Sequence, residues 1–245
     1  MKRKNKTLIL ARRNLKEIMR DPLSLIFAIG FPIIMLFTLG FITNGLEYVP
    51  EQFKIENYSA GICVFGYTFS MLFVAMLIAE DKNGEFINRL NVAPITKANY
   101  VSGYYIAMIP IVLVQTALFL LSSCILGLQF SYRLAIAFVY LMPSAALYIA
   151  LGALIGTVVK NGKQAGPACS IIISGASMLG GVFMPVENMG AFSTVVNLLP
   201  FTHSVKIATG VFADDFGCIF PHILWVVGYA AVVFLITVVI YKRKK

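Results

Sequence analysis

Six long stretches free of charged side chains constrain this chain more than any other feature. They cover 22–46, 57–79, 98–132, 134–159, 164–186 and 216–241. A helix needs about 20 apolar residues to cross the ~30 Å hydrocarbon core of a bilayer, so each stretch suffices for one crossing. The remainder of the chain cannot offset this much apolar surface: 59% of residues are hydrophobic and 13% are charged. A soluble domain carries about 25% charged residues, so lipid must be the solvent. The reading is an all-α integral membrane protein with six transmembrane helices.

The uncharged stretch at 188–205 differs from the six. It is interrupted by Asn188, Ser193, Thr194, Asn197, Pro200, Thr202 and His203, and a proline removes a backbone donor from a helix interior. Charge placement decides its path, because Lys and Arg in short loops collect on the cytoplasmic side. With six crossings and the start inside, 17 of the 20 Lys and Arg residues lie inside, and Lys54, Arg133 and Lys206 lie outside. A seventh crossing would move the basic tail 242–245 outside. Residues 185–210 are therefore expected to form an outer re-entrant segment, with Pro185, Asn188, Pro200 and His203 at a gate. The same charge placement explains the net charge of +9 without nucleic acid, since the basic residues form no patch with interleaved aromatics.

Before the first crossing, Leu8, Ala11, Leu15, Ile18 and Met19 alternate with Arg12, Arg13, Lys16 and Arg20 at steps of three and four. This pattern predicts an amphipathic helix in the inner interface, its basic face toward anionic headgroups. Asp21 and Pro22 then start the first crossing as N-cap and first helical residue. The domain reading is an interfacial helix at 1–21, a six-span membrane domain at 22–241 and a cytoplasmic tail at 242–245.

Candidate chemistry is sparse. Cys63, Cys124, Cys169 and Cys218 show no metal or redox spacing. His203, His222, Glu187, Asp214 and Asp215 lie near the outer face, where such groups are usually solvated, and no H-E-x-x-H pattern supports a membrane hydrolase. The stretch 156–164 resembles a P-loop, but it has five residues between its glycines and Gln164 in place of Ser or Thr. No crossing carries an Asp, Glu, Lys or Arg at its centre, which disfavours an ion-coupled carrier. Gly152 and Gly156 form a small-residue face suited to close helix packing. No metal site, catalytic residue or cofactor is assigned to this chain.

The cytoplasmic loop at 80–97 is longer than a minimal helix connection. Phe86, Ile87 and Leu90 can share one face of a short helix between Gly84 and Pro94, with Glu80, Asp81, Lys82, Glu85 and Arg89 around it. An apolar face with flanking charges, held away from lipid, suits the docking of a soluble partner.

Three segments carry a resemblance. DPLSLIFAIGFPIIM with its amphipathic lead, EDKNGEFINRLNVAPIT, and GGVFMPVENMGAFSTVVNLLPFTHSVKIATG together resemble the permease subunits of the ABC-2 type family of ATP-binding-cassette exporters. The resemblance spans nearly the whole chain in order. Glu85 stands where many members have a hydroxyl residue. The resemblance implies a multi-pass plasma-membrane permease with both termini cytoplasmic, a second permease chain, and a cytoplasmic ATPase partner that binds ATP and Mg. It further implies that Glu80, Asp81, Gly84, Glu85, Phe86, Ile87, Arg89, Leu90 and Pro94 couple to that ATPase. The expected cargo is amphiphilic or hydrophobic (a drug, antibiotic, peptide or lipid-like molecule), with a lipid-linked polysaccharide as the alternative.

Overall fold

In a computed structural model the chain is described at residues 5–84, 86, 95–183, 186, 190 and 192–243. Every regular element among these is helical. The helices are α1 (Lys6–Met19), α2 (Pro22–Asn44), α3 (Ile55–Asp81), α4 (Lys97–Ile125), α5 (Tyr132–Tyr140), α6 (Met142–Val158), α7 (Gly162–Leu179), the single turn α8 (Ser193–Val196), α9 (Pro200–Phe212) and α10 (Phe216–Arg243). Their starts follow local chemistry. The side chains of Asn5, Asp21, Thr96, Ser131 and Asn161 each accept a hydrogen bond from a backbone N–H of the first turn.

Among the described residues, five helices are long and apolar enough to cross a membrane, with α5 and α6 counted as one crossing. Pro143 opens α6 within its first two positions, and Leu141 between the two parts keeps helical backbone angles. The sixth expected crossing, 164–186, is not among the five. Its helix, α7, starts at Gly162, carries the polar Lys163 and Gln164 in its first turn and stops at Gly180. Gly181 then takes a φ of +78°, a left-handed conformation that glycine adopts without strain.

Helix α3 forms the centre. Its most apolar window is 83% buried, against 22% for α2 and for α10, and it packs on α2, α4, α6, α7 and α9. The small-residue face of α6 explains the closest of these contacts. A Cβ at Gly152 would sit 2.3 Å from the Met71 carbonyl oxygen, and one at Gly156 would sit 2.6 Å from that of Ala75. Two backbones approach there as only glycine permits.

The interior also holds polar joints. Pro32 lies inside α2 and has no N–H, so the Ala28 carbonyl loses its helical donor. Gln115 of α4 donates to that carbonyl from Nε2 at 3.1 Å, while its Oε1 accepts from Ser70 of α3 at 2.7 Å. One buried side chain thus joins three helices.

Pro200 does not interrupt a helix, as its place in an uncharged stretch suggested. It opens α9, where its missing N–H costs nothing.

Candidate functional site

The C-terminal end of α3 is where the structure concentrates its charge. Asp81 is the last residue of α3 and is 8% exposed. Arg13 of α1 meets it with both terminal nitrogens: Nη1 pairs with Oδ2, and Nη2 donates to Oδ1 at 2.7 Å. This fork-on-carboxylate pairing fixes direction as well as charge. Burial opposes the charge on Arg13, but the hydrogen bond and charge of Asp81 outweigh it, so the guanidinium is held above its usual pKa.

Two tyrosines of α4 complete the joint. Tyr104 donates to Asp81 Oδ2 at 2.5 Å and also lies 2.9 Å from the Tyr100 hydroxyl. The Tyr100 ring stacks on Tyr241 of α10 with centroids 4.6 Å apart, and Lys97 lies over the other partner's ring, 4.9 Å from the Tyr241 centroid. The pairing of α1 with α4 is close enough that a Cβ at Gly103 would meet Leu10 Cβ at 2.8 Å. Four helices are therefore joined through one carboxylate and three tyrosines.

The next two residues reach the other way. Lys82 directs its ammonium at the end of α6, to the carbonyls of Gly156 at 3.3 Å, Thr157 at 3.1 Å and Val159. A cation there satisfies carbonyls that a helix end leaves open and complements the helix dipole. Asn83 donates from Nδ2 to the Lys160 carbonyl at 2.6 Å. The segment read in the sequence as a false P-loop is thus the seat onto which α3 locks.

Of the residues expected to couple, Glu80 is exposed beside Gly162, Asp81 is the buried centre, and Gly84 is exposed. Phe86 is half-buried beneath Arg13, whose guanidinium carbon is 4.0 Å from its ring centroid. Glu85, Ile87, Arg89, Leu90 and Pro94 lie outside the described residues. Of the basic set on α1, Arg12, Lys16 and Arg20 are exposed, whereas Arg13 turns inward to Asp81. Its turn from the expected headgroup-facing set follows from the carboxylate, which offers a better partner than water at a partly buried position.

Of the outer set, Pro185 and Asn188 lie outside the described residues. His203 is 6% exposed and partnered, not solvated. Its Nε2 faces the Asn197 carbonyl at 2.9 Å and its Nδ1 faces His222 Nδ1 at 2.8 Å. A carbonyl only accepts, so neutral His203 carries its proton on Nε2 and accepts from His222. Trp225 stacks on the His203 ring at 5.3 Å.

Sequence reasoning missed Tyr100, Tyr104, Tyr241 and Gln115. A signal existed for two of them: Tyr100 and Tyr104 are one helical turn apart, at the end of a run that faces the charged loop.

The ABC-2 type transporter family matches residues 5–213, from α1 through α9. The chain belongs to the ABC-2 type transporter family. Among curated proteins it is similar to ABC transporter G family member 23 of Dictyostelium discoideum, with 23% identity over 192 residues. That match covers 74% of this chain and 27% of the relative, so the chain spans about a quarter of the relative's length. An ABC-2 type chain is a membrane-embedded transport permease. The match takes in both the α1–α3–α4 joint and the His203 end of α9.

Proposed function

We propose that this chain is the transmembrane permease subunit of an ABC-2 type exporter, moving an amphiphilic or hydrophobic cargo outward across the plasma membrane. In this reading the chain makes six crossings, with the run 164–186 as the sixth and 185–210 as the outer re-entrant gate. Both termini are cytoplasmic, and α1 lies in the inner interface with Arg12, Lys16 and Arg20 toward headgroups. A second permease chain completes the path. ATP and Mg bind a separate cytoplasmic ATPase that docks on 80–97.

One observation carries the reading. The loop at 80–97 begins where α3 is fastened to α1 and α4 by Asp81 and to the end of α6 by Lys82. A push on this loop is felt by the central helix and three others at once. A loop connecting two crossings needs no such fastening, whereas a loop that receives work from a partner does. Packed joints of this kind transmit small shifts as rigid-body movement.

The test removes the contact surface and leaves the fastening intact. Phe86→Ala, Leu90→Ala and Arg89→Glu are combined, and the complex is purified through the ATPase. Apolar anchors supply most of such an interface, at about 1–3 kcal/mol each when buried. The expected outcome is loss of the co-purified ATPase together with loss of ATP-dependent export. A triple variant that still holds its ATPase and exports at the parent rate rejects docking at this loop.

A further inference from the structure

Two cavities lie end to end between α2 and α3, outside the joint described above. The inner one, about 190 Å³, is walled by apolar residues that include Phe27, Phe69 and Leu72. The other, about 170 Å³, opens among Glu17, Arg20, Asp21 and Glu80. They share Ser24, Phe73 and Met76, so they form one groove with an apolar inner half and a charged mouth. Both halves open to the surface of the chain. A groove apolar at one end and charged at the other suits a molecule with a polar end and an apolar end.

The mouth specifies the polar end. Three carboxylates against one guanidinium leave it net negative, although the chain as a whole is at +9. Anionic headgroups are turned away and a cation is favoured.

The groove also leads somewhere. Phe69 meets Phe31 at 5.0 Å and Phe65 at 5.4 Å between ring centroids, and Phe65 meets Phe183 at 6.0 Å. Phe65, Phe69, Phe73, Met76 and Glu80 recur at steps of three and four, along one face of α3. From Glu80 to Phe65 this face runs for about 22 Å, from the mouth toward the residues that precede the outer segment.

We propose that this groove is the inner-leaflet entry site for cargo and that it selects amphiphiles with a cationic headgroup. The ammonium sits between Glu17 and Glu80, and the chain lies against Phe27, Leu72 and Met76. The assignment rests on the exporter reading and narrows its cargo.

The full-length chain with its ATPase, in phosphatidylcholine vesicles without nucleotide, is photolabelled with a diazirine-bearing hexadecylamine or the matching hexadecyl sulfonate. The amine is expected to label peptides covering 23–28 and 69–76 about five-fold or more above the sulfonate. Glu17→Gln with Glu80→Gln brings amine labelling down toward the sulfonate level, and Arg20→Gln raises it. Met76→Trp fills the groove and removes labelling while the complex keeps its elution volume. Equal labelling by the two probes, or labelling that survives Met76→Trp, overturns the proposal and assigns the groove to surrounding lipid. Headgroup-selective labelling in a chain that neither binds an ATPase nor exports would reject the exporter reading and leave the site standing.

Discussion

Arg13 and Asp81 are partners because each is costly alone. A carboxylate at 8% exposure needs donors, and Arg13 and Tyr104 provide them. Asp81→Asn removes the charge that Arg13 answers. It should cost about 2–3 kcal/mol, at the low end for a broken buried pair because the Arg13 side chain keeps 30% exposure. The double variant Arg13→Met with Asp81→Asn should recover part of that loss in a thermal-unfolding cycle, since neither residue then leaves an unpaired charge. ATPase stimulation by cargo should not recover, if the pair transmits movement. His203 makes the second residue-scale case. Burial lowers its pKa from the usual 6.5; the Asn197 carbonyl pulls the other way, and the nearby Lys206 charge adds to the lowering. A group held below its unfolded value contributes stability that is whole above about pH 6.5 and is lost as pH falls through the folded value. The melting temperature in detergent should therefore drop on acidification below pH 6.5. His203→Gln should flatten that slope, and an unchanged slope would show that other groups set it.

At the scale of elements, α2 and α6 are held to their neighbours in opposite ways. In α2 a proline opens a carbonyl and Gln115 closes it. Gln115→Leu should cost about 1 kcal/mol, the scale of polar contacts between membrane helices. Pro32→Ala restores an N–H to the Ala28 carbonyl, so the loss should be smaller in that background; equal losses in both would rule out the closure. In α6 the contact is steric. Gly152→Ala gains about 1 kcal/mol of helix propensity but places a methyl group 2.3 Å from the Met71 carbonyl. The clash should win by about 1–3 kcal/mol, read as a lower yield of folded protein and a lower melting temperature. The sequence foretold this second contact and not the first. Spacing alone marks Gly152 and Gly156 as one face, because helical period needs no partner. Gln115 has no period, and its meaning depends on a proline 83 positions earlier that only packing brings beside it. The same holds at the joint: Asp81 was legible as the charged end of an apolar run, but its partner at Arg13 was read as facing lipid, since an amphipathic pattern gives a face and not a neighbour.

For the whole molecule, the distribution of Lys and Arg predicts that the C-terminal tail is cytoplasmic. With exposed Cys218 replaced by Ser, Lys244→Cys should resist an impermeant thiol reagent in intact cells and react after permeabilisation. Labelling from outside would require an odd number of crossings. The apolar runs made most of the architecture legible, since a bilayer permits few alternatives to a helix. They overstated α7 at one end: the helix begins at Gly162, before the uncharged run, but Gly180 and Gly181 end it short of 186. The Arg13–Asp81–Tyr100 joint bears on how such a chain is assembled. Arg13 is synthesised 68 residues before Asp81, and Tyr241 arrives 160 residues after Asp81, with α10. During insertion α1 must wait at the membrane surface until α3 and α4 are in place, and the Tyr100 ring stays uncovered until α10 docks. The joint is thus completed only once α10 is made. Chains that lack α10 leave this seam open and partly charged.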